Sequence, residues 1–228
     1  MDIDVNYEVY LINTIYYNFS NYSYIIVNKT TKASLIVDPA WDFKKITDKI
    51  YQLGAYLTSI VLTHSHIDHV NLVNPLIKQF NPRVYMSELE INYYGFRCRN
   101  LYALNDMDRI DIGETKVLCL LTPGHTAGGM CYLLQDSLFS GDTIFSEGCG
   151  VCNFKGGSAE QMFESIQRIK FIVPSDIRIY PGHSYGKMPG QTLEYIMKEN
   201  VYFQINKKSF FIDFRMRENK KSTFDFKK

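Results

Sequence analysis

The chain has 228 residues, 46% of them apolar, with 17 Tyr and 15 Phe and a formal net charge of +1. That length suits one large or two small domains, and no linker interrupts it, so one domain spanning 1–228 is expected. Near-neutrality excludes a global attraction to nucleic acid or anionic membrane, and no apolar run approaches membrane-spanning length.

The N-terminus, Met1-Asp2-Ile3-Asp4, lacks the basic and apolar regions of a signal peptide. Five cysteines (Cys98, Cys119, Cys131, Cys149 and Cys152) are an odd number that fits no disulfide framework. Both features point to reduced thiols and a cytoplasmic location, and a monomer is expected.

In chain order, Tyr7 to Ile12, Ser23 to Val27 and Ser34 to Val37 are β-branched or aromatic runs between Asn- and Thr-rich turns, an antiparallel opening that ends at Asp38-Pro39. Asp42 then caps a helix whose Phe43, Ile46, Ile50 and Leu53 keep helical spacing, and Gly54 stops it. Ser59-Ile60-Val61-Leu62 reads as a buried strand delivering its C-terminal end into Thr63-His64-Ser65-His66-Ile67-Asp68-His69. Asn74 is expected to cap a short helix with Pro75 at its first position. A strand from Arg83 to Met86 precedes a helix over Glu88-Leu89-Glu90-Ile91, capped by Ser87 in a Ser-x-x-Glu pattern.

Strands return at Arg109 to Ile112 and Thr115 to Leu121, joined by a Gly113-Glu114 turn. Thr122-Pro123-Gly124-His125 follows, then a hairpin of Met130 to Leu134 with Ser137 to Ser140, ending at Gly141-Asp142-Thr143. Ser158 caps a helix with Gln161 in the reciprocal position, and Met162, Ile166, Ile169 and Val173 line one face. A last strand, Asp176 to Tyr180, runs into Pro181-Gly182-His183, and a helix from Thr192 to Asn200 precedes a Phe-rich, basic stretch from Tyr202 on. Two successive sets of strands, each followed by strand–loop–helix units, predict a four-layer αββα sandwich of α/β class.

All five histidines (His64, His66, His69, His125 and His183) lie just beyond a predicted strand or in the loop it feeds. Neutral imidazole is the commonest metal ligand, and carboxylate oxygen is its usual companion where the ion stays reactive. Four such groups on the tight turn of residues 64–69 cannot all face one tetrahedral ion without strain. Alternation sends His64 and His66 one way and Asp68 and His69 the other, which suggests two adjacent metal sites. Asp142, between His125 and His183 in the sequence and likewise after a strand, completes the set.

These motifs, His-x-His-x-Asp-His, Pro123-Gly124-His125, Ser140-Gly141-Asp142-Thr143 and Pro181-Gly182-His183, resemble the metal-ligand motifs of the metallo-β-lactamase superfamily. The resemblance implies that His64, His66 and His125 hold one metal, that Asp68, His69 and His183 hold the other, and that Asp142 bridges them. Two ions roughly 3.5–4 Å apart can share a water and acidify it to near neutrality. Asp68 is then both ligand and catalytic orienter of the nucleophile. An all-His/Asp set implies two zinc ions and also suits iron or manganese.

The Glu147-Gly148-Cys149-Gly150 loop resembles that of glyoxalase II enzymes and persulfide dioxygenases, both of which act on thiol-linked substrates. Where glyoxalase II places a basic residue after Gly-Cys-Gly, this chain has Val151. With Met162 to Ile166 and Phe211 to Arg217, the loop is more similar to the zinc-dependent hydrolases of bacterial trans-acyltransferase polyketide synthases. That resemblance implies hydrolysis of acyl thioesters on acyl carrier protein, removing stalled acyl units, with no nucleic acid or membrane as partner.

From residue 206 on, Lys207, Lys208, Arg215, Arg217, Lys220, Lys221, Lys227 and Lys228 face only Asp213, Glu218 and Asp225. The stretch reads either as a basic surface for an acidic carrier protein or as a solvated tail. Phe154, Lys155 and Tyr185, near the ligands in sequence, are candidates for the substrate mouth. The competing expectations are a glyoxalase-II-like hydrolase of glutathione thioesters, a one-iron persulfide dioxygenase, and a carrier-binding module without turnover.

Overall fold

The structure is a computed structural model that describes residues 5–17 and 19–217. The chain opens with a long hairpin, β1 (Tyr7–Tyr16) and β2 (Phe19–Asn28), and β3 (Ala33–Val37) pairs antiparallel to β2. The chain then crosses over through α1 (Phe43–Gln52) to β4 (Tyr56–Val61), parallel to β3. Asp42 caps α1 as expected, its carboxylate accepting from the Lys45 N–H at 2.9 Å. After the short α2 (Ile67–Val70), α3 (Val73–Phe80) leads into β5 (Arg83–Ser87), and α4 (Glu88–Tyr94) into β6 (Leu101–Leu104). The first sheet therefore runs β1-β2-β3-β4-β5-β6, with β3 to β6 parallel.

The second sheet starts with β7 (Arg109–Ile112), β8 (Thr115–Leu121), β9 (Met130–Leu133) and β10 (Ser137–Gly141), a meander of antiparallel neighbours. Helix α5 (Ala159–Ile172) carries the chain to β11 (Arg178–Pro181), parallel to β10, and β12 (Gln191–Thr192) closes the edge. Three short helices end the described chain, α6 (Leu193–Glu199), α7 (Val201–Gln204) and α8 (Lys208–Met216).

Three apolar layers follow from strand alternation. Tyr24, Ile26, Leu35 and Val37 of the first sheet meet Val117, Cys119, Tyr132 and Phe139 of the second between the sheets. The opposite face of the first sheet packs Ile25, Ile36 and Ile60 against Ile46, Ile50 and Leu76 of α1 and α3. The opposite face of the second packs Leu120, Cys131 and Leu138 against Met162, Ile166 and Ile169 of α5. The result is the expected αββα sandwich.

Several local expectations are corrected. Helix α3 begins at Val73 after Leu72, so Asn74 is not its cap and Pro75 sits at the third position, where its missing N–H still costs no helix bond. Strand β6 was hidden in the sequence because Tyr102 and Ala103 are exposed at the sheet edge. The stretch after Tyr202 is no solvated tail up to residue 217. Phe211 of α8 is fully buried against Phe163 and Tyr202, with ring centroids 5.5 Å from each. Lys208 is occupied by Glu160 and Glu164 of α5, at 3.1 and 2.7 Å. The charged residues Glu218, Lys220, Lys221, Asp225, Lys227 and Lys228 lie outside the described residues.

Candidate metal centre

The seven candidate ligands converge where both sheets end. His64 and His66 lie in the loop after β4, Asp68 and His69 on α2, His125 between β8 and β9, Asp142 directly after β10 and His183 two residues past Pro181. Two buried tyrosines tie these strand ends across the sandwich. Tyr24 of the first sheet donates to the carbonyl of Pro181 at 2.6 Å, and Tyr132 of the second donates to that of Leu62 at 2.7 Å. Each bond fixes a residue two positions before a candidate ligand, so the mouth of the site is set by the core.

Within it, His64 Nε2 and His125 Nε2 each lie 3.0 Å from His66 Nδ1, three nitrogens around one point. His69 Nε2 lies 3.3 Å from His183 Nε2, and Asp68 Oδ2 lies 3.7 and 3.2 Å from them. Asp142 stands between the two groups, its Oδ2 3.4 Å from His125 and 3.5 Å from His183, its Oδ1 3.6 Å from His69. That Oδ1 is buried with no hydrogen-bond partner among the described residues. An orphaned carboxylate oxygen inside a ring of nitrogen lone pairs is chemically complete only with a cation. The donor set thus fits two adjacent dications, each with three residues of its own and Asp142 between them.

The remaining ring nitrogens fix which lone pair faces inward. His125 Nδ1 donates to the Val151 carbonyl at 2.7 Å, and His183 Nδ1 to that of Ser20 at 3.0 Å. His69 Nδ1 donates to Asp38 Oδ2 at 2.9 Å, and His64 Nδ1 meets the Thr63 hydroxyl at 3.1 Å. That hydroxyl donates in turn to Asp38 Oδ2 at 2.5 Å, and the Thr63 N–H to Oδ1 at 2.8 Å. Asp38 also falls within a ligand-like group with His64 and His69. Its oxygens are already committed to these donors, which suits it to orienting the candidate ligands.

Glu90 plays a similar part from α4. Its Oε1 accepts from the Ser65 N–H and hydroxyl at 2.8 and 2.7 Å, and its Oε2 from the Gly128 N–H at 3.0 Å. The Ser87 hydroxyl caps α4 as expected, but Glu90 turns away from the cap to clamp the histidine loop. Asn21 completes the frame, donating to the Asp68 carbonyl at 2.9 Å and carboxylate at 3.2 Å while Trp41 Nε1 holds its oxygen.

Sequence reading missed all three residues. The one local mark of Asp38 is its left-handed backbone, φ +47, which appears only in the fold. Gly182 is explained by close approach, since a Cβ there would lie 2.6 Å from the His69 ring and 2.7 Å from Asp142 Oδ1.

The electrostatics divide the two groups. Burial drives His64 well below the ordinary imidazole range, and burial with the neighbouring His125 brings His66 down to about 4, so both are neutral ligands at neutral pH. Burial also opposes charge on His69, but Asp142 and the bond to Asp38 outweigh it and raise it to about 9. His183 is raised as well, with Asp142 and Asp68 overcoming burial. Against its own burial, Asp68 is held below the usual carboxylate range by His183, His69 and Asn21. The second group therefore shares protons where a dication would sit, and binding one releases them.

The site opens into a cleft of about 1040 Å³. Phe154 and Tyr185 lie on its wall, their rings 6.3 Å from His66 and 6.1 Å from His183. Lys155 does not line it: its ammonium lies 5.9 Å from the Tyr93 ring, because the chain reverses after Phe154. Cys149 and Cys152 do flank the cleft, as free, buried thiols. The C-terminal part of α8 also lines it, through Phe214, Arg215 and Met216.

Residues 16–183 match the family described as "Metallo-beta-lactamase superfamily". The chain is 54% identical to the "Probable polyketide biosynthesis zinc-dependent hydrolase PksB" of Bacillus subtilis (strain 168), over 99% of this chain and 100% of that protein. It is 53% identical to BaeB of Bacillus velezensis, which bears the same description, with the same coverage. Among solved structures, ETHE1 from Myxococcus xanthus superposes with a TM-score of 0.83 at 26% identity, covering 92% of each chain.

Proposed function

The chain belongs to the metallo-β-lactamase superfamily, and we propose that within it the protein is a zinc-dependent hydrolase of acyl thioesters, acting on acyl groups borne by acyl carrier protein in polyketide biosynthesis. The observation that carries this reading is the complete two-group ligand set, with the orphaned Asp142 oxygen between its halves, at the base of an open cleft. A structural site would close its coordination and would have no use for the cleft. Full-length likeness to two relatives named as zinc-dependent hydrolases of polyketide biosynthesis supports both the metal and the pathway.

When bound, a pair of zinc ions supplies an acidified water and polarises the scissile carbonyl. The chain's own residues do the rest. Asp68, ionised and held by Asn21, orients the nucleophile. Phe145, Val151 and Phe154 form an apolar approach that limits bulk water around the carbonyl. All five histidines belong to the ligand set, so none is left to protonate a leaving group. A thioester suits that shortage, because its thiolate leaves near neutral pH without a strong acid. Val151 stands on the cleft wall where a basic residue follows Gly-Cys-Gly in glyoxalase II, so that contact to glutathione is missing, which favours a carrier-borne acyl group over a glutathione thioester.

The test compares kcat/KM for one acyl group on carrier protein and on glutathione, with zinc-loaded enzyme. At least a tenfold preference for the carrier is expected, roughly 1.4 kcal/mol of differential binding. Faster turnover of the glutathione thioester would replace this reading with a glyoxalase-II-like one. Oxygen consumption with a persulfide, and no thioester cleavage, would replace it with a dioxygenase.

A further inference from the structure

Two cations line the same cleft as the candidate metal ligands. Arg215 and Arg217 of the α8 end both line the cleft that reaches Asp68, Asp142 and His183. Arg215 is half-buried. One of its terminal nitrogens donates to the Tyr202 hydroxyl at 2.8 Å, and its guanidinium carbon lies 5.6 Å from the Tyr202 ring centroid. Its Nε is buried with no acceptor among the described residues. Arg217 is exposed, stacked 3.7 Å above the Phe214 ring and tied to the Phe214 carbonyl.

The Lys and Arg ion pairs among the described residues involve Lys44, Arg168 and Lys208, and neither of these arginines. A guanidinium held partly out of water, always charged and without a carboxylate, is costly unless an anion arrives from outside. Arg215 also faces the Cys152 and Cys149 thiols, and the N–H groups that it and Arg217 have beyond their bonds to Tyr202 and the Phe214 carbonyl can meet a planar or tetrahedral oxyanion in the cleft. Glu147, the further carboxylate on the cleft wall, packs beside Gly186, and its backbone N–H bonds the Tyr185 carbonyl.

We propose that Arg215 and Arg217 form an oxyanion subsite that reads a charged group carried on the substrate away from its thioester. This inference rests on the thioester reading above. Two sources share the chemistry: the phosphate of a pantetheine arm on the thiol side, or a carboxylate on the acyl side.

Thioether analogues, which cannot be hydrolysed, test it without turnover. Calorimetric titration of the zinc-loaded protein would use S-butylpantetheine, S-butyl-4′-phosphopantetheine and S-(3-carboxypropyl)pantetheine. One of the two anionic ligands is expected to bind about tenfold or more tightly than the neutral one. Which one does so identifies the source. In R215Q and in R217Q that advantage is expected to fall below about threefold, and R215K is expected to keep part of it.

An equal affinity for all three ligands, or an advantage that survives in both glutamine variants, would overturn the subsite. Arg215 also supports Tyr202, so if R215Q fails to fold, R217Q decides alone. An anion preference without hydrolysis of any acyl carrier would leave the subsite standing and remove the thioester reading.

Discussion

Asp38 Oδ2 lies 2.9 Å from His69 Nδ1, and the same oxygen accepts from the Thr63 hydroxyl that meets His64 Nδ1. One buried carboxylate therefore orients a ligand in each half of the site. Its other oxygen holds the backbone N–H that begins the histidine loop. The arrangement links the end of β3 to the end of β4, so the register of two parallel strands becomes the spacing of the ligands.

Asp38→Asn is expected to weaken zinc binding by roughly 10- to 100-fold. An amide keeps one acceptor oxygen, whereas Asp38 accepts at both, so one of its three donors would face an NH₂ group. Competition titration with a chromophoric chelator reads the affinity. An unchanged value would mean that Asp38 only fills space.

Glu90→Gln poses the same problem on the other side of the loop, where Ser65 and Gly128 present three donors. The expected loss is about 1–3 kcal/mol of stability, seen as a fall in Tm of roughly 2–4 °C per kcal/mol. A variant that melts with the native protein would show that Glu90 is dispensable to the loop.

Much of this centre was legible in the sequence and part of it was not, for a physical reason. The candidate ligands announce themselves because metal chemistry needs particular side chains at strand ends, and three of the four such ends place a Gly directly before the side chain, at Gly124-His125, Gly141-Asp142 and Gly182-His183. The αββα order was legible because strand and helix periodicities are local. Asp38, Glu90 and Asn21 were hidden because a carboxylate after a strand, on a helix or an amide in a hairpin is ordinary in its own neighbourhood. Only the fold brings Asn21 to Asp68, 47 positions away, or Asp38 to His69, 31 away. The same blindness made the residues after Tyr202 look like a basic tail, since the partners of Lys208 and Phe211 are on α5.

Phe211→Ala is expected to cost about 3–5 kcal/mol, the usual range for emptying a buried aromatic position. Because α8 also walls the cleft, KM for the acyl carrier should rise as α8 loosens. Denaturant unfolding and steady-state kinetics on the same variant check both. A loss below about 1 kcal/mol would show that α8 is not held by the core.

Cys152 and Cys149 flank the cleft, yet burial pushes the Cys152 thiol up to about 11 and that of Cys149 higher still. At pH 7.5 only about 3 in 10,000 Cys152 side chains would be thiolate, the reactive form. Iodoacetamide should therefore label neither in the folded protein within an hour and both in denaturant, as read by mass spectrometry. Rapid native labelling would mean that the loop opens and that these thiols meet solvent.

The two-group centre is proposed to add water to an acyl thioester. The most direct test is to incubate acyl-loaded carrier protein with the zinc-loaded enzyme in ¹⁸O-labelled water and follow the acid and the free carrier thiol by mass spectrometry. One ¹⁸O is expected in each released acid, with loss of release on chelation, its return with added zinc, and none from a His66→Ala, Asp68→Ala double variant. Release that persists without zinc, or in the double variant, or an intact acyl carrier in the presence of fully loaded enzyme, would contradict it.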